Sequence, residues 1–198
     1  MDAFTTHTGR AAVLRRSDVD TDQIIPSDWL KRVERTGFGA GLFSEWRDDP
    51  DFALNRPESA GASILLAGKD FGTGSSREHA VWALQDYGFR AVVSPRFGDI
   101  FRSNALKGGL LPVQLDAEVV EALMQRVEAD PSLEVVVDLG ARELRAGDLV
   151  SPFPLDDFTR WRLMEGLDDI GLTLRNEGDI AAFEVGRSAH LPTTTLGA

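Results

Sequence analysis

Residues Ser63–Ser94 read SILLAGKDFGTGSSREHAVWALQDYGFRAVVS. The stretch opens with a short apolar run, Ser63–Ala67, of buried-strand character, and passes into a glycine-punctuated loop over Gly68–Gly74. From Ser75 to Tyr87, the residues Ala80, Ala83, Leu84 and Tyr87 recur at helical spacing, which predicts a helix with one apolar face. Gly88 follows where a helix end favours a left-handed residue. Phe89–Ser94 is a second apolar run, stopped by Pro95. Strand, loop, helix and strand in that order make a βαβ unit, which implies parallel strands and a right-handed crossover. The fold class is therefore α/β.

The same logic extends outward. Upstream, Arg10–Leu14 reads as a first strand, and RRSDVDTDQIIP (15–26) as a loop entering a short extended segment that Pro26 ends. Residues 27–60 hold Gly37, Gly39, Gly41, Pro50 and Pro57 among scattered Trp29, Phe38, Phe43, Trp46 and Phe52. So long an irregular connection is usually functional or disordered, and its aromatic content favours order. Downstream come a helix near Gly98–Leu106 and a strand over Leu110–Gln114. A helix capped by Asp116 follows, carrying Val119, Val120, Leu123 and Val127, then a strand over Leu133–Leu139. GARELRAG (140–147) looks like a turn into another strand, and Pro154 suits the first turn of a helix over Leu155–Glu165 ended by Gly166. Residues 1–186 are read as a single domain with a long loop at 27–60, and 187–198 as a mobile tail.

Composition narrows the function classes. The 198 residues suit one domain, and 42% hydrophobic with 27% charged residues is ordinary for a globular protein. A net charge of −11 argues against non-specific nucleic-acid binding and against attraction to anionic membranes. No apolar run approaches the roughly 20 residues that span a bilayer, and MDAFTTHTGR lacks the pattern of a secretory leader. The expected location is cytoplasmic, with neither nucleic acid nor membrane as partner. The absence of cysteine removes disulfides, thiolate nucleophiles and Cys-held zinc or iron–sulfur groups from this chain. His7, His79 and His190 are not at ligand spacing, so no metal site is expected.

The chemistry concentrates in KDFGTGSSREHAVWA, Lys69–Ala83. Ser75 and Glu78 match the S-x-x-E capping box, which places Ser75 at the N-cap of the helix. No P-loop pattern is present. Gly72 and Gly74 lack the third glycine of a dinucleotide loop, because Arg77 stands there. The nucleophile elbow fails because Glu78 replaces its last glycine. What remains is two serines and an arginine at a helix N-terminus. The plain reading is a capped helix with a surface arginine. The sharper one is a carboxylate site, gripped by Arg77 and the helix dipole, with Ser75 or Ser76 facing the substrate. A serine could abstract a proton there only if its alkoxide were stabilised by those groups.

FGTGSSREHA resembles the signature of the aconitase family's swivelling domain. DVDTDQIIP (18–26) is similar to that family's early D-T-D-x-I-I-P motif, and GDIFRSNALKGGLLPV (98–113) to its F-x-x-N-x-x-x-x-G-L-L-P segment. LKRVERTGFGAGLF (30–43) and GLDDIGLTL (166–174) look like the isopropylmalate dehydratase small subunits in particular. The likeness runs along nearly the whole chain, in order. Thr73 stands where the motif usually has Cys, Asp70 where Asn is common and Val81 where Pro is common.

The resemblance implies an aconitase-like swivelling β/β/α domain with βαβ units, working as one half of a hydro-lyase of leucine biosynthesis. The family reaction interconverts 2- and 3-isopropylmalate by dehydration and rehydration. It implies no cofactor bound by this chain, and an iron–sulfur (4Fe–4S) cluster on a large-subunit partner that acts on the leaving hydroxyl. The family's catalytic serine falls on Ser75, and the substrate-binding positions on Ser76, Arg77, Asp22 and Thr21, with Asp20 shaping the same loop. The side-chain loop after Pro26 would put Trp29, Leu30 and Val33 near the isopropyl group. His79, without an orienting acid, is read as a structural contact. The long loop is expected to be the least protected segment of the free chain and to order on assembly. The alternatives are the small subunit of a related hydro-lyase acting on a methylmalate or homoaconitate, and a non-catalytic carboxylate-binding module.

Overall fold

The computed structural model describes residues 1–31, 36–188 and 190. In chain order, β1 (Thr6–Leu14) leads to a one-turn helix α1 (Thr21–Ile24) and then to four short 3₁₀ turns between Ser27 and Ser59. Next come β2 (Ile64–Ala67), α2 (Glu78–Tyr87), β3 (Ala91–Ser94), α3 (Asp99–Gly108), β4 (Leu111–Gln114) and α4 (Ala117–Ala129). Then follow β5 (Glu134–Asp138), β6 (Glu143–Ala146), β7 (Leu149–Pro152), α5 (Asp157–Met164), α6 (Asp169–Leu174) and α7 (Glu177–Val185).

The strands form one sheet of order β4-β3-β2-β1-β5-β6-β7. β1 to β4 pair in parallel, so both βαβ units around α2 and α3 are present, whereas β5 meets β1 antiparallel and leads into two hairpins. Side chains alternate across a strand. Leu65, Ala67 and Val92 therefore face one core with Ala80 and Leu84 of α2 and Phe101 of α3. Ile64, Leu66, Ala91 and Val93 face the other, with Val120, Leu123 and Val127 of α4 and Leu163 of α5. Burial on both faces explains the unbroken apolar runs of β2 and β3, and each fully buried Leu or Val contributes about 1.5–3 kcal/mol.

Two sequence expectations change here. Thr21–Ile24, expected within a short extended segment, is the one-turn helix α1. β1 begins at Thr6 rather than Arg10, because the polar residues Thr6–Arg10 pair with Asp138–Glu134 of β5. The described part of 27–60 packs on the sheet, as its aromatic content suggested. Phe38, Leu42, Phe43, Phe52 and Leu54 are buried in the first core. Phe43 stacks on Trp46 at 5.2 Å and meets Phe52 edge-on at 5.9 Å, while Arg16 lies 4.2 Å over the Trp46 ring. The aromatic residues that favoured order are the ones that supply it. Of the tail from 187, only Arg187, Ser188 and His190 fall within the described residues.

Candidate active site

Parallel strands deliver their following loops to one end of the sheet, and here those loops are laced together by backbone hydrogen bonds. The loop after β1 pairs with the loop after β2: Gly68 N–H donates to Arg16 C=O at 3.0 Å, and Asp18 N–H to Lys69 C=O at 2.8 Å. Gly72 N–H reaches Val19 C=O at 2.7 Å, and Thr21 N–H reaches Thr73 C=O at 2.9 Å. The loop after β3 joins through Phe71 N–H to Arg96 C=O at 3.1 Å and Gly98 N–H to Phe71 C=O at 2.9 Å. Gly72 is what lets the strands of this weave approach. Its φ is +77°, and a Cβ there would lie 2.2 Å from the Phe101 ring.

The weave brings DTDQ (20–23) against GSSR (74–77). Asp20 caps α1: its side chain accepts from Gln23 N–H at 2.8 Å, while Asp20 N–H donates to the Gln23 side chain at 3.0 Å. Thr21, only 1% exposed, is thereby fixed with its hydroxyl toward Ser75. The two hydroxyls lie 2.9 Å apart, and Ser75 N–H donates to Thr21 Oγ1 at 3.2 Å. Thr21 thus sits behind the serine.

This overturns the capping box expected at Ser75 and Glu78. The helix starts at Glu78, its N-cap is Arg77, and no side chain caps it. Ser75 satisfies the local pattern, but Thr21 competes for it from 54 residues away. The consequence is chemical. Ser75 and Ser76 remain exposed, and the first-turn N–H groups of α2 have no side-chain cap.

Arg77 forms an ion pair with Asp22 through Nη1 and Oδ1, its side chain 22% exposed against 56% for the aspartate. Asn104 of α3 donates to Ser76 C=O at 3.4 Å, holding the serine pair from the other side. Ser75, Ser76, Arg77, Asp22 and Thr21 are therefore one cluster. Trp29 and Leu30 lie half-buried in the 3₁₀ turn that follows Pro26, and Val33 lies outside the described residues. His79 packs on aromatic rings, 5.3 Å from Phe38 and 4.6 Å from Trp82, in keeping with a structural contact.

Among the described residues, no group of three or more His, Cys, Asp or Glu could hold a metal ion. With no cysteine in the sequence, the donor set does not fit an iron–sulfur cluster. Two cavities, of about 420 and 560 Å³, lie elsewhere: one over β1 beside Arg56 and Glu128, the other beside Lys69, Arg96 and Ser151. Neither is lined by Ser75 or Arg77. Within the cluster, Asp22, Ser75 and Ser76 are exposed to solvent and Arg77 is half-buried. No helix among the described residues is long and apolar enough to cross a membrane.

Residues 1–118 match the family model described as the aconitase C-terminal domain, and 169–195 the one described as the C-terminal domain of the 3-isopropylmalate dehydratase small subunit. Curated 3-isopropylmalate dehydratase small subunits from Parafrankia sp. and Frankia casuarinae are each 75% identical, covering 98% of this chain and 100% of theirs. The Acidothermus cellulolyticus protein of that name is 70% identical over 98% of both chains. The crystal structure of 3-isopropylmalate dehydratase from Methanocaldococcus jannaschii superposes with a TM-score of 0.65 at 25% identity, covering 90% of this chain and 99% of that one. With the fold, the woven loops and these likenesses together, the chain belongs to the 3-isopropylmalate dehydratase small-subunit family, built on the aconitase C-terminal domain.

Proposed function

We propose that this chain is the substrate-gripping and proton-handling half of a two-subunit hydro-lyase that interconverts 2- and 3-isopropylmalate by way of 2-isopropylmaleate, in the cytoplasm, on the route to leucine. The observation that carries the reading is the exposed Ser75–Ser76–Arg77 run at an uncapped helix N-terminus, backed by Thr21. Arg77 offers a planar fork to a substrate carboxylate, and the first-turn N–H groups add the positive end of the helix dipole. Asp22 orients the guanidinium. Ser75 Oγ takes the proton from the carbon beside the departing hydroxyl, and returns it in the hydration step. Its alkoxide is stabilised by the Thr21 hydroxyl, the dipole and Arg77. Trp29 and Leu30 form the apolar wall for the isopropyl group.

The cluster that the family implies belongs to the large subunit, since this chain has no cysteine to hold it. Ser75 and Ser76, exposed on this chain, would face that second chain across the completed site. The test is anaerobic co-purification with a cysteine-containing large subunit, followed by assay of isopropylmaleate formation. Turnover that requires both chains supports the reading. Selective turnover of a methylmalate or homoaconitate instead would reassign the substrate. A colourless chain that stays inactive with every candidate large subunit would overturn the reading in favour of a binding module.

A further inference from the structure

Trp29 and Leu30 can discriminate a side chain only if the irregular segment that carries them is held in place, and its return limb is fastened to α2 at an unexpected residue. Phe38 N–H donates to the Asp86 carboxylate at 2.9 Å. Phe38 is buried, with its ring edge-on to His79 at 5.3 Å and 5.8 Å from Trp82. Gly39 lies flat on the end of the same helix, where an added Cβ would come within 2.8 Å of the backbone of Asp86 and Tyr87. Gly41 then lies against Trp29 itself, where a Cβ would come 2.5 Å from the indole. A chain of contacts thus runs from Asp86 through residues 38–41 to Trp29.

Asp86 stands in the last turn of α2, which carries no basic residue. The helix dipole disfavours an acid at that end, so local electrostatics give no reason for it. The bond it accepts from Phe38 does. His79 and Trp82, on the same helix, face Phe38 as well. The helix that presents Arg77 at its start therefore also sets the side-chain wall from its end.

We infer that Asp86 is a positioning residue for substrate discrimination, acting through Phe38, Gly39 and Gly41 to hold Trp29 and Leu30 at a fixed distance from the Ser75–Arg77 cluster. This rests on the reading of those residues given under Proposed function.

The test uses the assembled two-subunit enzyme with 3-isopropylmalate and with the analogue bearing methyl in place of isopropyl. In Asp86→Ala, KM for 3-isopropylmalate is expected to rise about fivefold, the size of one ordinary hydrogen bond, with kcat nearly unchanged and the methyl analogue less affected. Asp86→Asn keeps an acceptor oxygen and is expected to restore both values. Gly39→Ala, which pushes the limb off the helix, is expected to shift discrimination in the same sense. A fall in thermal stability with KM and discrimination unchanged would assign Asp86 a merely structural role and overturn the inference, as would a loss of kcat at constant KM. Wild-type complex that turns over neither substrate would defeat the functional reading itself, and is distinguishable from both.

Discussion

The parallel and antiparallel halves share β1 and one sheet, but they spend their connections differently. In the antiparallel half, turns are tight. β6 and β7 are joined by Gly147–Asp148 alone, with Gly147 at φ +62°, and the β5–β6 turn is closed by Ala141 N–H on the Asp138 carboxylate at 2.9 Å. In the parallel half, the connections cross the sheet, and β1 and β2 are each followed by a long loop before the next helix. The loop after β1 ends in α1, which carries Thr21 and Asp22, and the loop after β2 carries Ser75, Ser76 and Arg77. Reactive groups collect where topology leaves slack backbone at the carboxyl ends of parallel strands.

Substitutions in the two halves should therefore separate catalysis from stability. Ser75→Ala is expected to lower kcat of the assembled enzyme by about 10²–10⁴-fold while leaving thermal unfolding unchanged. Retained turnover would put the base elsewhere. Leu144→Ala, fully buried in β6, is expected to cost about 2–5 kcal/mol of stability, read by chemical denaturation, with kcat/KM per folded enzyme intact. Arg77→Lys keeps the charge but loses the fork; KM is expected to rise roughly tenfold, in line with a charge-assisted hydrogen bond.

Smaller effects test the boundary between the halves. Hydrogen exchange on the free chain should find the Phe43 amide slow, since it donates to Ile24 C=O at 2.8 Å beneath a buried ring. Exchange as fast as in an unfolded peptide would return the segment to the class that orders only on assembly. The smallest expected effect is at His7, whose Nε2 lies 2.7 Å from Ser63 Oγ where β1 meets the start of β2. Burial, and then the Arg90 charge, hold its pKa below the ordinary imidazole value. The unfolded chain therefore binds this proton more readily than the folded one. The His7 contribution is present above about pH 6.5 and lost as pH falls through the lowered folded value. Wild-type protein should lose slightly more melting temperature between pH 8 and pH 5.5 than His7→Gln does; an equal loss would show that His7 is not linked to folding.

How much of this was legible in the sequence follows the same division. The βαβ units were, because Ser63–Ser94 signals each element locally. The first half of β1 was not, since THTGR becomes strand only by pairing with residues 134–138. β7 was missed as a short edge strand ending in proline, and α6 and α7 because they leave Ile170, Leu174, Phe183 and Val185 exposed, without an inward stripe to mark a period. At the site, the residues singled out by the family resemblance lie together in the fold, but the partner of Ser75 could not be read from S-x-x-E. Glu78 offers a cap three residues away, whereas Thr21 reaches the serine only after two loops have been laced together. The D-x-x-Q of Asp20 and Gln23 was a capping signal in plain view.

β1 lies between β2 and β5, and this sets a timetable for synthesis. The strand leaves the ribosome ahead of both neighbours, finds its parallel neighbour about fifty residues later, and waits roughly seventy more for its antiparallel one. Until then one edge of a central strand stays open to any passing strand. The polar stretch THTGR, unattractive to an apolar edge, occupies just the length of β1 that waits longest.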